Sequence, residues 1–205
     1  SVVDAAVTFA AQTVKITRAF GELGHNSSTD HSTTIYVDRH AEDEDYAVEV
    51  DKLMVYPLAG SNRRTTFSKS SASNIPGKLI VHNTKYPGAT DKSRIALQNC
   101  YIEFGETTYD TSSKTTPEPG FPWSEVEFAN AAHTARLGVQ AELSAVIPSF
   151  LSFKGTVEKV GPGALTVGFA AGAETTGSVV VKEGSFGFAD DAEAGTIVIG
   201  SLTVK

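Results

Sequence analysis

Between Gly24 and Tyr46 the sequence GHNSSTDHSTTIYVDRHAEDEDY gathers three of the chain's five histidines, His25, His31 and His40, with six acidic residues. Imidazoles and carboxylates together are the ligand types of a zinc or hard-cation site. Their spacing works against one. A calcium loop needs alternating oxygen ligands, a glycine at its sharp turn and a closing glutamate, whereas Glu42, Asp43, Glu44 and Asp45 are consecutive and lack the glycine. On an extended segment neighbouring side chains point to opposite sides, so only two of these four acids converge. His25, His31 and His40, with Asp30 beside His31, could meet across a hairpin, but no HExxH or Cys/His pair fixes two ligands on one element. The expected role is a solvated edge, where clustered charge keeps flanking strands from pairing with other chains. No metal and no cofactor is expected.

Other chemistry finds less support. There is no G-x-S-x-G, and Cys100 shares its parity with Ala96, Ile102 and Phe104 in IALQNCYIEF, which reads as a core thiol rather than a nucleophile. Glu103, Glu125 and Glu127 stand near the aromatics Tyr101, Trp123 and Phe128, the materials of a glycoside-hydrolysing carboxylate pair. EVEF, however, also alternates as a strand with one wet face does. KVGPGALTVG lacks the GK[ST] ending of a phosphate-binding loop.

The elements that must carry these residues are strands. TTIYVD (33–38), YAVEVDKLMVY (46–56), KLIVH (78–82) and IALQNCYIEF (95–104) are rich in β-branched and aromatic residues bounded by polar or Gly/Pro clusters. In YAVEVDKLMVY the apolar parity slips at Asp51-Lys52, which predicts a bulge or burial of both faces beyond it. A short helix is predicted near Asn130 to Leu137, from Phe128, Ala132, Ala135 and Val139 at intervals of four, three and four. From Ser149 onward FLSFKGTVEKV, ALTVGFA, SVVVKEGSFGF and TIVIGSLTVK are separated by turn-rich GPG, AGAETTG and ADDAEAG, with no repeat of fixed period. The fold class expected is all-β, an antiparallel β-sandwich or barrel with long loops, closed by a C-terminal β-meander. Leu58 to Gly77 and Gly105 to Pro122 read as the long loops. The organisation expected is an N-terminal β region over 1–106, a Pro/Ser/Thr-rich linker over 107–122 and a C-terminal region over 123–205, which can form one continuous domain.

Composition sets bounds on function. With 17 Lys+Arg against 24 Asp+Glu and a formal charge of −7, a general attraction to phosphate backbones is not expected, so nucleic acid is not a predicted partner. No apolar run reaches the ~20 residues of a membrane-spanning helix, and the N-terminus lacks the order of a signal peptide. A single cysteine cannot make an intrachain disulfide, which fits folding in a reducing compartment.

The uncharged stretch AAVTFAAQTV (5–14) stands out instead, as an extended apolar arm that must be covered by its own fold or by a neighbouring chain. Arg63 and Arg64 lie in the densest basic patch of an acidic chain, suited to an acidic patch on another copy. Val7, Phe9, Val14, Ile16, Arg63 and Arg64 are therefore the expected assembly residues. Together these features predict a non-enzymatic structural subunit that associates with copies of itself and other assembly proteins. What such chains tend to be narrows this to a phage virion protein, of tail-tube or capsid-decoration type. It would be made in the host cytoplasm and reside in the virion. The alternatives are an extracellular carbohydrate- or surface-binding β module, presenting Trp123, Tyr101, Tyr109 and Phe121, and a hydrolase using Glu125 or Glu127.

Overall fold

Alternation of β-branched or aromatic residues with polar ones favours extended backbone, and the computed structural model contains strands and no α-helix among the residues it describes. Those residues are 13–16, 19–22, 33–39, 47–50, 53–56, 65–71, 73–82, 94–105, 125–189 and 200–204. In chain order the strands are β1 (Thr13–Ile16), β2 (Ala19–Glu22), β3 (Thr33–Tyr36), β4 (Asp38–Arg39), β5 (Ala47–Val50), β6 (Leu53–Tyr56), β7 (Thr65–Ser68), β8 (Ile75–Pro76), β9 (Lys78–Val81) and β10 (Arg94–Leu97). They continue as β11 (Cys100–Phe104), β12 (Glu125–Phe128), β13 (Thr134–Val139), β14 (Ser144–Phe153), β15 (Thr156–Val160), β16 (Ala164–Glu174), β17 (Ser178–Val181), β18 (Ser185–Phe188) and β19 (Ser201–Val204).

From β9 onward successive strands alternate between two sheets. One has eight strands in the order β1-β5-β9-β11-β13-β15-β17-β19, the other seven in the order β3-β7-β10-β12-β14-β16-β18. Every pairing in the first sheet is parallel, as is every pairing in the second. The chain winds as a β-solenoid, one strand in each sheet per coil. This overturns the antiparallel sandwich or barrel and the C-terminal meander. Parallel neighbours need a long crossover, and here the strand in the facing sheet supplies it. Two small pairs lie outside the main sheets, β2 with β6 in parallel and β4 with β8 antiparallel.

Several predicted strands are two strands joined by a corner. IALQNCYIEF divides into β10 and β11 at Gln98-Asn99, and SVVVKEGSFGF into β17 and β18 around Lys182 to Gly184. FLSFKGTVEKV joins the end of β14 to β15 through Lys154-Gly155. The parity slip in YAVEVDKLMVY falls between β5 and β6, which lie in different sheets; Asp51 and Lys52 lie outside the described residues. Leu58 to Gly77 is likewise no plain loop. It contains β7, all four of whose residues are buried, and β8. Both main sheets run past the Pro-rich stretch, since β10 pairs with β12 and β11 with β13; residues 106–124, which hold the expected linker, lie outside the described set.

The predicted helix near Asn130 to Leu137 is a corner followed by β13. Asn130 Oδ1 accepts from the Ala132 amide at 2.9 Å and the His133 amide donates to the Asn130 carbonyl at 3.2 Å, local bonds that turn the chain instead of propagating a helix. The helical spacing arose because the corner inserts residues between buried positions of β12 and β13. Phe128, Ala135 and Val139 are buried while Ala132 is exposed.

A period is present after all. Val157 pairs with Ala135, Val179 with Val157, and Leu202 with Val179, steps of 22, 22 and 23 residues. Gly155-Thr156-Val157, Gly177-Ser178-Val179 and Gly200-Ser201-Leu202 repeat at this interval. The glycines stack at one corner, where coils approach so closely that a Cβ on Gly155 would lie 2.3 Å from Phe128 Cζ and one on Gly177 2.6 Å from the Gly155 carbonyl oxygen.

Inward side chains form columns between the sheets. In the eight-stranded sheet Leu79, Ile102, Leu137 and Val181 share one column, and all four are buried. On the other side Phe150 lies 5.2 Å from Phe153 and 5.7 Å from Phe169, and Phe128 lies 6.2 Å from Phe153, ring centroid to centroid. Burying each such ring contributes ~1.5–3 kcal/mol, with edge-to-face contacts adding to it.

Candidate functional site

Parallel, in-register pairing places chemically distinct residues of successive coils ~4.8 Å apart on the outer face. Along the eight-stranded sheet Lys78, Tyr101, Arg136 and Glu158 occupy one outward column. Lys78 Nζ lies 3.3 Å from Glu103 Oε2 and, like the Arg136 guanidinium, 5.4 Å from the Tyr101 ring centroid. Arg136 Nη2 is 3.1 Å and Lys182 Nζ 2.8 Å from the Glu158 carboxylate. Gln140 Nε2 donates to Glu103 Oε1 at 3.0 Å, and the Tyr101 hydroxyl donates to Glu103 Oε2 at 3.4 Å. Nearby, His82 Nε2 is 2.5 Å from Glu49 Oε1.

Burial, aided by the Glu103 charge, pushes the Tyr101 phenol up to about 12. For Glu158, burial works upward, but the hydrogen bonds from Lys182 and Arg136 outweigh it together and hold the carboxyl below its ordinary range. The ladder joins five coils through alternating charge and holds them in register. Tyr101, one of the aromatics of the carbohydrate-binding alternative, has the Lys78 and Arg136 cations at its ring.

The seven-stranded sheet carries a second cluster. Arg94 donates to Glu125 Oε2 through Nε at 3.0 Å and Nη2 at 2.8 Å, and its Nη1 is 3.5 Å from Glu127 Oε1. β10 and β12 place Arg94 opposite Glu125, with Glu127 two residues along the same face. The two carboxylates considered for glycoside hydrolysis thus share one guanidinium, and Glu125 is buried.

Two buried groups bear on chemistry. Cys100 faces inward, and burial pushes its thiol up to about 12, away from the thiolate that a nucleophile requires. Lys159 was not singled out in the sequence, although it shares the parity of buried Val157. It occupies the column of Leu137 and Val181 and is fully buried. Its Nζ donates to the carbonyls of Val160 (2.9 Å), Gly161 (2.6 Å) and Glu183 (3.0 Å). Desolvation holds this ammonium below the ordinary lysine range, against a smaller upward pull from Glu183.

The last feature is β19, the outermost strand of its sheet among the described residues. Leu202 and Val204 of β19 pair with buried Val179 and Val181, yet are 53% and 73% exposed. Phe188 of β18, 6.2 Å from buried Phe169, is 41% exposed. At the other end of the same sheet, Val14 and Ile16 of β1 pair with Val48 and Val50 of β5 in their own chain. The remaining expected assembly residues, Val7, Phe9, Arg63 and Arg64, lie outside the described residues. So do His25, Asp30, His31, His40 and Glu42 to Asp45, and the aromatics Tyr109, Phe121 and Trp123.

Among the described residues no group of three or more His, Cys, Asp or Glu side chains is arranged to hold a metal, and no helix is long and apolar enough to cross a membrane. No protein family, curated protein or solved structure matches the chain.

Proposed function

We propose that the chain is a non-enzymatic structural subunit that assembles with copies of itself. The observation that carries this reading is the stack of parallel coils cross-braced on its outer face by ion pairs, Lys78 with Glu103 and both Arg136 and Lys182 with Glu158, which commits the charged side chains there to holding coils together. In its finer form the proposal is a phage virion protein, of tail-tube or capsid-decoration type, made in the host cytoplasm and carried in the particle. A rod stiffened by ion pairs between coils suits such a load.

Solution mass tests the reading. Light scattering across a concentration series is expected to give masses above that of the 21.6 kDa chain, and labelling of purified phage particles by antibodies to the chain tests the finer form. A mass that stays at one chain, with affinity for members of a glycan panel, would favour the carbohydrate-binding alternative.

A further inference from the structure

We propose that the two corners following β15 and β17 build a binding site for one aliphatic ammonium ion, which the chain fills with its own Lys159. Among the described residues Lys159 is the one buried cation, in a column whose neighbours on either side are Leu137 and Val181. Its Nζ has three N–H donors, and three backbone carbonyls take them. Val160 at 2.9 Å and Gly161 at 2.6 Å belong to the end of β15 and the corner after it, and Glu183 at 3.0 Å to the corner one coil on. With its fourth bond running to the side chain, the nitrogen is fully satisfied. A planar guanidinium or a metal ion that takes six or more oxygens would match the three carbonyls less well.

The oxygens are held in place by the backbone. Gly161 and Gly184 have φ of 75° and 72°, a region that glycine enters at little steric cost. A Cβ on Gly184 would stand 2.6 Å from the Gly161 carbonyl oxygen and 2.8 Å from Lys159 Nζ, so glycine there lets the second corner close over the first. The turns are fixed by bonds that do not involve the lysine side chain: the Gly163 amide donates to the Val139 carbonyl at 2.9 Å, and the Lys182 amide to the Lys159 carbonyl at 2.9 Å. The carbonyls therefore converge with or without the ammonium. The acid that acts on Lys159 through space is Glu183. Three neutral oxygens and one nearby negative charge suit a monovalent ion, whereas a divalent one would lose more hydration than they replace. Glu183 and Gly184 are exposed, so one layer of backbone separates the nest from solvent.

The test uses n-propylammonium, which is the segment from Cγ to Nζ that Lys159→Ala removes. Urea unfolding of the full-length Lys159→Ala chain is followed in increasing propylammonium chloride, against tetramethylammonium chloride at equal ionic strength, a cation of the same charge without N–H donors. The midpoint is expected to rise and saturate in propylammonium only, the folding equilibrium constant growing about tenfold when the amine stands at ten times its dissociation constant. Wild type and Lys159→Met, whose side chains fill the channel, should show no such rise. If the alanine variant is unfolded without additives, refolding in propylammonium but not in tetramethylammonium is the same positive result, and refolding in neither overturns the site. An equal response of the alanine variant to both salts would overturn it. So would an equal rise in wild type or Lys159→Met, which would place the amine elsewhere. Potassium chloride matching propylammonium would overturn the assignment to an ammonium, showing that the carbonyls recognise charge alone.

Discussion

Val179 and Leu202 are neighbours in one ladder, one coil apart and alike in chemistry, yet Val179 is fully buried and Leu202 is 53% exposed. Val181 and Val204 repeat the contrast with identical side chains, at 7% and 73%. Nothing in the local sequence separates the members of either pair. In a solenoid a strand buries its inward side chains against the coils on both sides as well as the facing sheet, so burial at a position depends on the existence of a neighbour. Among the described residues the interior of the stack is where apolar burial is concentrated.

The largest expected effect lies in the interior. Phe150→Ala removes a ring that touches both Phe153 and Phe169 and should cost ~3–5 kcal/mol by denaturant unfolding. A loss under ~1 kcal/mol would show that the stack is not where stability is concentrated. Lys159→Met comes next. It places an apolar side chain in an apolar column but leaves three carbonyls without the ammonium that now serves them, so a loss of ~1–3 kcal/mol is expected. A gain in stability would mean that desolvating the ammonium costs more than its hydrogen bonds return.

Alkaline pH probes the same interior. The Cys100 thiol moves from 9.0 to about 12 on folding, so below pH 9.0 both states hold the proton and stability is unaffected. Above it the unfolded chain releases a proton that the folded chain keeps, and stability falls by up to ~1.4 kcal/mol per pH unit until about pH 12. Tyr101, raised from 10.0 to about 12, acts in the same direction over the upper part of that window. Unfolding free energies of wild type and Cys100→Ala between pH 8 and pH 11 should diverge with that sign; parallel curves would show a thiol open to solvent. The smallest effect belongs to β19. Leu202→Lys should change stability by less than ~0.5 kcal/mol, and a large loss would mean that Leu202 is covered within its own chain.

Much of the polar ladder was within reach of alternation, which puts Lys78, Tyr101, Glu103 and Arg136 on outward parities. That Arg136 meets Tyr101 and Glu158, residues 35 and 22 positions away, required the register of the coils. The 22-residue step was present in Gly155-Thr156-Val157 and Gly177-Ser178-Val179, but it is obscured upstream, where Ala135 pairs back to Cys100 over 35 residues.

By itself the sequence determined that the chain is built of strands, that Cys100 belongs to a core face, and that glycine-rich segments punctuate the strands. Those properties follow from backbone sterics and from period-two alternation, both local. Strand direction and strand partner were decided only by the tertiary structure, because side-chain parity is identical in parallel and antiparallel ladders. A Gly-rich corner between two β runs reads as a hairpin turn if the chain folds back within one sheet. Here it delivers the chain to the facing sheet, and the close stacking of Gly155 and Gly177 against the neighbouring coil is the physical reason it can do so.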